Sequence, residues 1–265
     1  MKLPPQRIQA FAVVLSLALL LGACTSGPRA AQPSERQVKA MAMWQERCKT
    51  AGEKIYRTVE GVEGIYLMKL RPDAVNYGDQ FKLDDPYGSD IHGDGYIESF
   101  LRGFYTLPKN SNENTPPRLA YLYVEAQDPK DGQRYRYTGR MEQPWLTNKN
   151  YSEDYKRFVL DKKPATGPAP RYGVTYDDIS TREEREYWIA GSALKVMDLQ
   201  TNEVIAERVG YMVDWAQGSV VGGRSPWLLA ANQACPKFVD RHGSTAQIAQ
   251  TEKFVEKVLK PARGK

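Results

Sequence analysis

Two stretches, Tyr187-Trp-Ile-Ala-Gly-Ser-Ala-Leu-Lys-Val-Met197 and Glu203-Val-Ile-Ala-Glu-Arg-Val-Gly-Tyr-Met-Val213, flank the short polar segment Asp198-Leu-Gln-Thr-Asn202. Both are rich in β-branched and aromatic residues, and the segment between them carries turn chemistry, so the pattern predicts a long β-hairpin. An isolated hairpin is marginal in water, and this one must recruit further strands or a helix to bury its apolar side chains. A second hairpin is predicted from Arg118-Leu-Ala-Tyr-Leu-Tyr-Val-Glu-Ala126, the turn Asp128-Pro-Lys-Asp-Gly132 and Arg134-Tyr-Arg-Tyr-Thr138. Gly64-Ile-Tyr-Leu-Met-Lys-Leu-Arg71 reads as another strand, ended by Pro72. Pro164-Ala-Thr-Gly-Pro-Ala-Pro170 is a loop that neither a regular helix nor a central strand accommodates. A short helix over Ser152 to Asp161 is left open by its apolar spacing.

Helical periodicity is confined to the two ends of the folded body. Ser34-Glu-Arg-Gln37 has the capping-box pattern, and Val38, Met41, Cys48, Ala51 and Ile55 recur at helical spacing behind it. Ser244-Thr-Ala-Gln247 opens a second helix on which Ile248, Val255, Val258 and Leu259 share a face, and Pro261 stops it. The expected fold is α+β: an antiparallel sheet with the N- and C-terminal helices packed together, in one globular domain over residues 34–265.

Ahead of that domain the chain has basic Lys2 and Arg7, an apolar run from Ala10 to Leu21, and then Leu21-Gly22-Ala23-Cys24. This is the layout of a secretory leader, too short in its apolar core to span a membrane as a helix. The Leu-Gly-Ala-Cys ending resembles the lipobox of bacterial lipoproteins. That resemblance implies cleavage after residue 23, acyl chains on Cys24, and a flexible tether over residues 24–33 containing Pro28 and Pro33. Thr25, where an Asp would signal inner-membrane retention, implies the outer membrane, with the body facing the periplasm. The body itself resembles proteobacterial lipoproteins of unassigned activity. Membrane attachment would then run through the acyl chains, each buried methylene contributing about 0.8 kcal/mol.

With Cys24 carrying lipid, Cys48 and Cys235 remain. An even pair in an oxidising compartment is most simply a disulfide, and neither cysteine stands in a Cys-x-x-Cys spacing or beside a histidine. Loss of Lys2 and Arg7 with the leader lowers the formal charge from +5 to +3, too balanced to argue for a nucleic-acid partner.

Several stretches invite a sharper reading. Asp90-Ile-His-Gly-Asp-Gly-Tyr-Ile97 follows the first half of a calcium loop, with Asp90 and Asp94 as oxygen donors. Its twelfth position is Leu101 instead of the bidentate Glu, and His92 stands at position three, so Asp84, Asp85 and Glu98 would have to complete any metal site. A polar loop before an apolar segment is the simpler expectation. Ser192-Ala-Leu-Lys195 fits the Ser-x-x-Lys pattern of serine β-lactamases, but residues i and i+3 of a strand point to opposite faces. No Gly-x-Ser-x-Gly, His-Glu-x-x-His or phosphate-loop pattern occurs, His92 and His242 are the only histidines, and no cofactor is expected.

The aromatic and basic side chains of the first hairpin form the remaining candidate surface: Tyr121, Tyr123, Arg134, Tyr135, Arg136, Tyr137 and Arg140, followed by Trp145. Aromatic faces stack on sugars or proteins, and arginines grip carboxylates or phosphates. Cross-strand tyrosine pairs are equally ordinary sheet stabilisers. Gly218-Ser-Val-Val-Gly-Gly-Arg-Ser-Pro226 is a second candidate loop. The expectation is an envelope lipoprotein that binds or scaffolds an envelope protein, peptidoglycan or lipopolysaccharide. An enzyme acting on cell-wall or surface glycans and an accessory or immunity lipoprotein of a secretion or conjugation system are the alternatives.

Overall fold

The computed structural model describes residues 32–72, 79–88, 93–105, 120–238 and 245–262. The predicted leader, Cys24, Asp90, His92, Arg118 and His242 lie outside the described residues. From Glu35 onward the chain forms one compact unit. Its elements run α1 (Glu35–Cys48), β1 (Gly52–Ile55), β2 (Val59–Val62), β3 (Gly64–Leu67), α2 (Asp94–Tyr105), β4 (Tyr123–Gln127), β5 (Arg134–Glu142), β6 (Arg157–Pro164) and β7 (Tyr172–Asp178). The short helix α3 (Arg182–Glu186) follows, then β8 (Ile189–Asp198), β9 (Glu203–Val213), α4 (Pro226–Ala230), β10 (Ala234–Cys235), α5 (Thr245–Val258) and β11 (Leu259–Pro261).

The main sheet has nine strands in the order β1-β9-β8-β7-β3-β4-β5-β6, with β10 also on β9. Both hairpins form as the turn chemistry predicts, β8 with β9 and β4 with β5. The sheet is mixed, which corrects the antiparallel expectation: β3 runs parallel to both β4 and β7. The chain leaves β3, passes through α2 and returns as β4, and such a crossover places its two strands side by side in parallel. A small second sheet pairs β11 with β2, also in parallel.

Strand β8 is buried along nearly its whole length, as a central strand covered on both faces must be. Alternation along β9 shows what covers each face. Met212 and Arg208 meet Gln247 and Gln250 of α5, whereas Tyr211 lies against α1, its carbonyl accepting from Trp44 and its ring under Arg47. Since adjacent strand residues point to opposite faces, α1 and α5 lie on opposite sides of the sheet rather than on each other. The expected packing of the two terminal helices is replaced by this sandwiching of β9. Helix α2 joins α5 on the core face through Tyr96, Ile97, Phe100 and Leu101, among Ile65, Val124, Val174, Phe254 and Val258.

What ties the N-terminal helix to the far end of the chain is the Cys48–Cys235 disulfide, as the cysteine pairing predicts. Antiparallel β1 and β10 occupy successive stretches of the same edge of β9: Gly52 faces Val209, and Cys235 faces Tyr211. Their near-collinear arrangement brings the end of α1 beside β10. At the opposite margin, β6 begins at Arg157, where the sequence left a short helix open. Pro164 is tolerated as its last residue because β6 is an edge strand.

Candidate functional site

The hairpin β4–β5 separates its aromatic and basic residues by face. Tyr121 and Tyr137 are buried in the main core, and the Tyr121 hydroxyl donates to the Leu259 carbonyl at 2.7 Å. They therefore build the core and leave the proposed ligand surface. Arg134 and Arg136 project to the other face, where both pair with Glu125, at 3.2 and 2.8 Å. Glu125 is fully buried, so these two arginines neutralise a structural carboxylate. Arg136 also lies 4.1 Å from the centre of the Tyr123 ring, which crosses Gly64 so closely that an added Cβ would sit 2.3 Å from it. Tyr135 donates to Asp131 at 2.6 Å beneath the Lys162 ammonium, and Lys149 caps Trp145 at 3.2 Å. Arg140 pairs with Asp161 at 3.0 Å and with Glu142.

That outer face stays open to solvent across β3 to β6. Tyr66, Tyr123, Thr138, Asp161 and Lys163 all reach solvent there, and α1 covers only the β8–β9 end. At its margin lies a hollow of about 400 Å³ walled by Tyr123, Tyr172, Arg171 and the β2–β3 turn at Glu60 to Glu63. Arg171 is held by Asp198, which also takes Arg57 at 2.6 Å and the Gln200 amide. Arg171, with Arg57 assisting, keeps the Asp198 carboxyl below the usual carboxylate range. A second hollow, of about 510 Å³, opens between α1 and α3 beside Met43, Arg47 and Glu184.

The sequence reading missed a buried polar cluster on the core face. Arg71 and Asp85, 3% and 0% exposed, pair at 3.1 Å, and the Ser192 hydroxyl donates to Asp85 at 2.9 Å. The Arg71 guanidinium stacks 4.1 Å from the Tyr176 ring centre and 5.3 Å from that of Tyr96. Gly88 makes room for it, since a Cβ there would lie 2.1 Å from the guanidinium. Burial pushes the Asp85 carboxyl up to about 6, against the opposing pull of Arg71 and Ser192. Asp85 holds φ +46, a left-handed conformation that Asp and Asn adopt more readily than most residues. Ser192 is thus a partner of a structural carboxylate. Lys195 pairs with Asp177 at 2.7 Å on the other face, so the Ser-x-x-Lys pair is split by the strand as expected.

The calcium-loop reading loses its auxiliary oxygens in the same way. Asp84 pairs with Lys69 at 2.9 Å, Asp85 with Arg71, and Glu98 with Arg102, while Leu101 is fully buried and Asp94 opens α2. Among the described residues no group of three or more His, Cys, Asp or Glu side chains could hold a metal ion.

Glu256, on α5, is a second acid, after Asp85, whose carboxyl is raised. Burial, reinforced by Glu252 one turn earlier, pushes its carboxyl up to about 8, and its Oε1 has no hydrogen-bond partner. The folded state therefore retains a proton that the unfolded chain releases near pH 4.5, and stability falls as pH rises from there to about 8. Glu256→Gln removes this dependence. Relative to the parent, its unfolding free energy should be nearly unchanged at pH 4.5 and higher by about 2 kcal/mol at pH 8, the full linkage being reduced by partial solvent exposure. Urea titrations across that range check the slope, and a gap independent of pH would contradict it.

Compared with known proteins, the chain matches no family model, no curated protein and no solved structure.

Proposed function

We propose that this protein is a lipid-anchored component of the bacterial cell envelope, held through acylated Cys24 at the outer membrane and facing the periplasm, and that it works by binding or scaffolding. The observation that carries the binding reading is the uncovered face of β3 to β6. Its hydrophilic surface borders the hollow between Tyr123 and Tyr172. The charges there are already engaged with one another, Arg134 and Arg136 both with Glu125, and Arg140 with Asp161 and Glu142. A partner would be held by ring contacts and hydrogen bonds distributed over the face rather than by long-range attraction. The Cys48–Cys235 disulfide supports an oxidising compartment. Among the described residues no helix is long and apolar enough to cross a membrane.

The test is made in cells with the full chain. Cys24→Ser should abolish palmitate incorporation and release the protein from washed membranes; continued acylation would overturn the anchor. A photocrosslinking side chain at Thr138, on the open face, should capture an envelope component that the same group at Lys130, in the hairpin turn, does not. Mass spectrometry of the adduct identifies protein or glycan. Absence of any adduct specific to Thr138 would overturn the binding reading of this face.

A further inference from the structure

Where β10 hands the edge of β9 over to β1, the core face of the sheet and α5 enclose a hollow of about 230 Å³ that the binding reading does not use. Its walls carry Arg208, Lys237, Lys253 and Lys257 against one carboxylate, Glu53. Arg208 is 4% exposed, and its Nη1 has no hydrogen-bond acceptor. Its Nε is occupied by the Gln250 side-chain oxygen. Glu53 does not satisfy Nη1: its Oε1 stands 3.8 Å away, beyond hydrogen-bond reach, while its Oε2 is taken by Lys257 at 2.7 Å. A buried guanidinium donor left unpaired is costly, and water or an anionic oxygen at this position would relieve it.

We propose that this hollow binds a phosphate group. Arginine presents a rigid fork that suits phosphate oxygens, and the two flanking lysines, Lys237 and Lys253, supply charge from opposite walls. Lys253 and Lys257 lie one turn apart on the face of α5 that also carries Gln250, so the helix delivers both ammonium groups to one side. Glu252 and Glu256 lie beside Tyr121, and of the two Glu256 also feels the Lys253 ammonium. The four cations against one carboxylate exceed what the fold itself neutralises here. The phosphate could belong to free phosphate or to a phospholipid headgroup, and the same site chemistry serves both.

The test is calorimetric titration of the full chain, purified in maltoside detergent, with inorganic phosphate and separately with short-chain phosphatidylglycerol. Saturable one-to-one binding of at least one is expected. The double variant Lys237→Ala/Lys253→Ala should bind at least tenfold more weakly, and Lys130→Ala/Lys156→Ala, which removes exposed lysines elsewhere, should bind as the parent does. Arg208 also holds Gln250, so the exposed lysines are substituted in its place and the fold is spared. Tighter binding of the lipid would assign the site to a headgroup and tighter binding of phosphate to the free ion, both upholding it. Failure of both ligands to saturate, or equal loss in the two double variants, would overturn it.

Discussion

Arg71→Ala should lower the unfolding free energy at pH 8 by about 3–5 kcal/mol, the range expected when one partner of a buried ion pair is removed. The substitution strips Asp85 of its cation in a site with no exposure, and it empties the space between the Tyr176 and Tyr96 rings that the guanidinium fills. The deficit should also depend on pH in a definite direction. Asp85 already titrates near 6, above its ordinary 3.8, so its contribution to stability falls as pH rises through that interval. Without Arg71 the folded-state value moves higher still. The variant then loses more than the parent does at alkaline pH and less at pH 5, where Asp85 takes up a proton. Arg71→Met combined with Asp85→Asn removes both charges, keeps a side chain that tolerates positive φ, and should recover more than half of the loss. Thermal and urea unfolding at pH 5 and pH 8 check all three variants. A deficit equal at the two pH values would show that the carboxylate is not what is left uncompensated.

Breaking the covalent tie should have an effect of similar size. Cys48 and Cys235 are 187 residues apart in sequence, so their bond removes a large share of the unfolded chain's freedom; the chain-entropy relation gives about 5 kcal/mol for a loop of this length. Cys48→Ser/Cys235→Ser should accordingly shift the urea midpoint strongly downward. Hydrogen exchange should show α1 and β10 losing protection first, because β10 holds only two residues of the β9 edge and α1 packs on the outer face of β8 and β9, while the α2–α5 core remains packed without them. An unchanged midpoint would mean that the edge holds α1 without the bond.

Legibility in the sequence followed the range of the interactions. The two hairpins were readable because Asp128 to Gly132 and Asp198 to Asn202 carry their turn chemistry locally, and Asn202 adopts the positive φ that such turns call for. The terminal helices were readable from caps and periodicity, although the stripe was read past the end of α1 at Cys48, through Ala51 in the connection and Ile55 in β1. The parallel placement of β3 was not readable, since four residues with no local signal for their neighbours are assigned by a crossover through α2. Helix α3 carries a complete capping box, Thr181 with Glu184, and could have been found from it. The tyrosines misled because two residues apart on a strand means the same face, but which face is the core depends on partners far away. Tyr135 and Tyr137 share the side that α2 covers, and the arginines between and beside them face out. The basic hollow had one signal: along Ala206, Arg208, Gly210 and Met212, all on one side of β9, a charge stands among small and apolar residues.

The division of one β9 edge between β1 and β10 has a consequence for the order of assembly. Residues near 52 and near 235 must both arrive before that edge is closed, and β2 waits for β11, still later in the chain. Pairings this distant in sequence impose their loop-closure cost before they return any contact energy. Folding of this body is therefore a whole-chain event. A polypeptide emerging from its N-terminus can form the two hairpins in turn, but it completes the sheet margin only when its final segments have emerged.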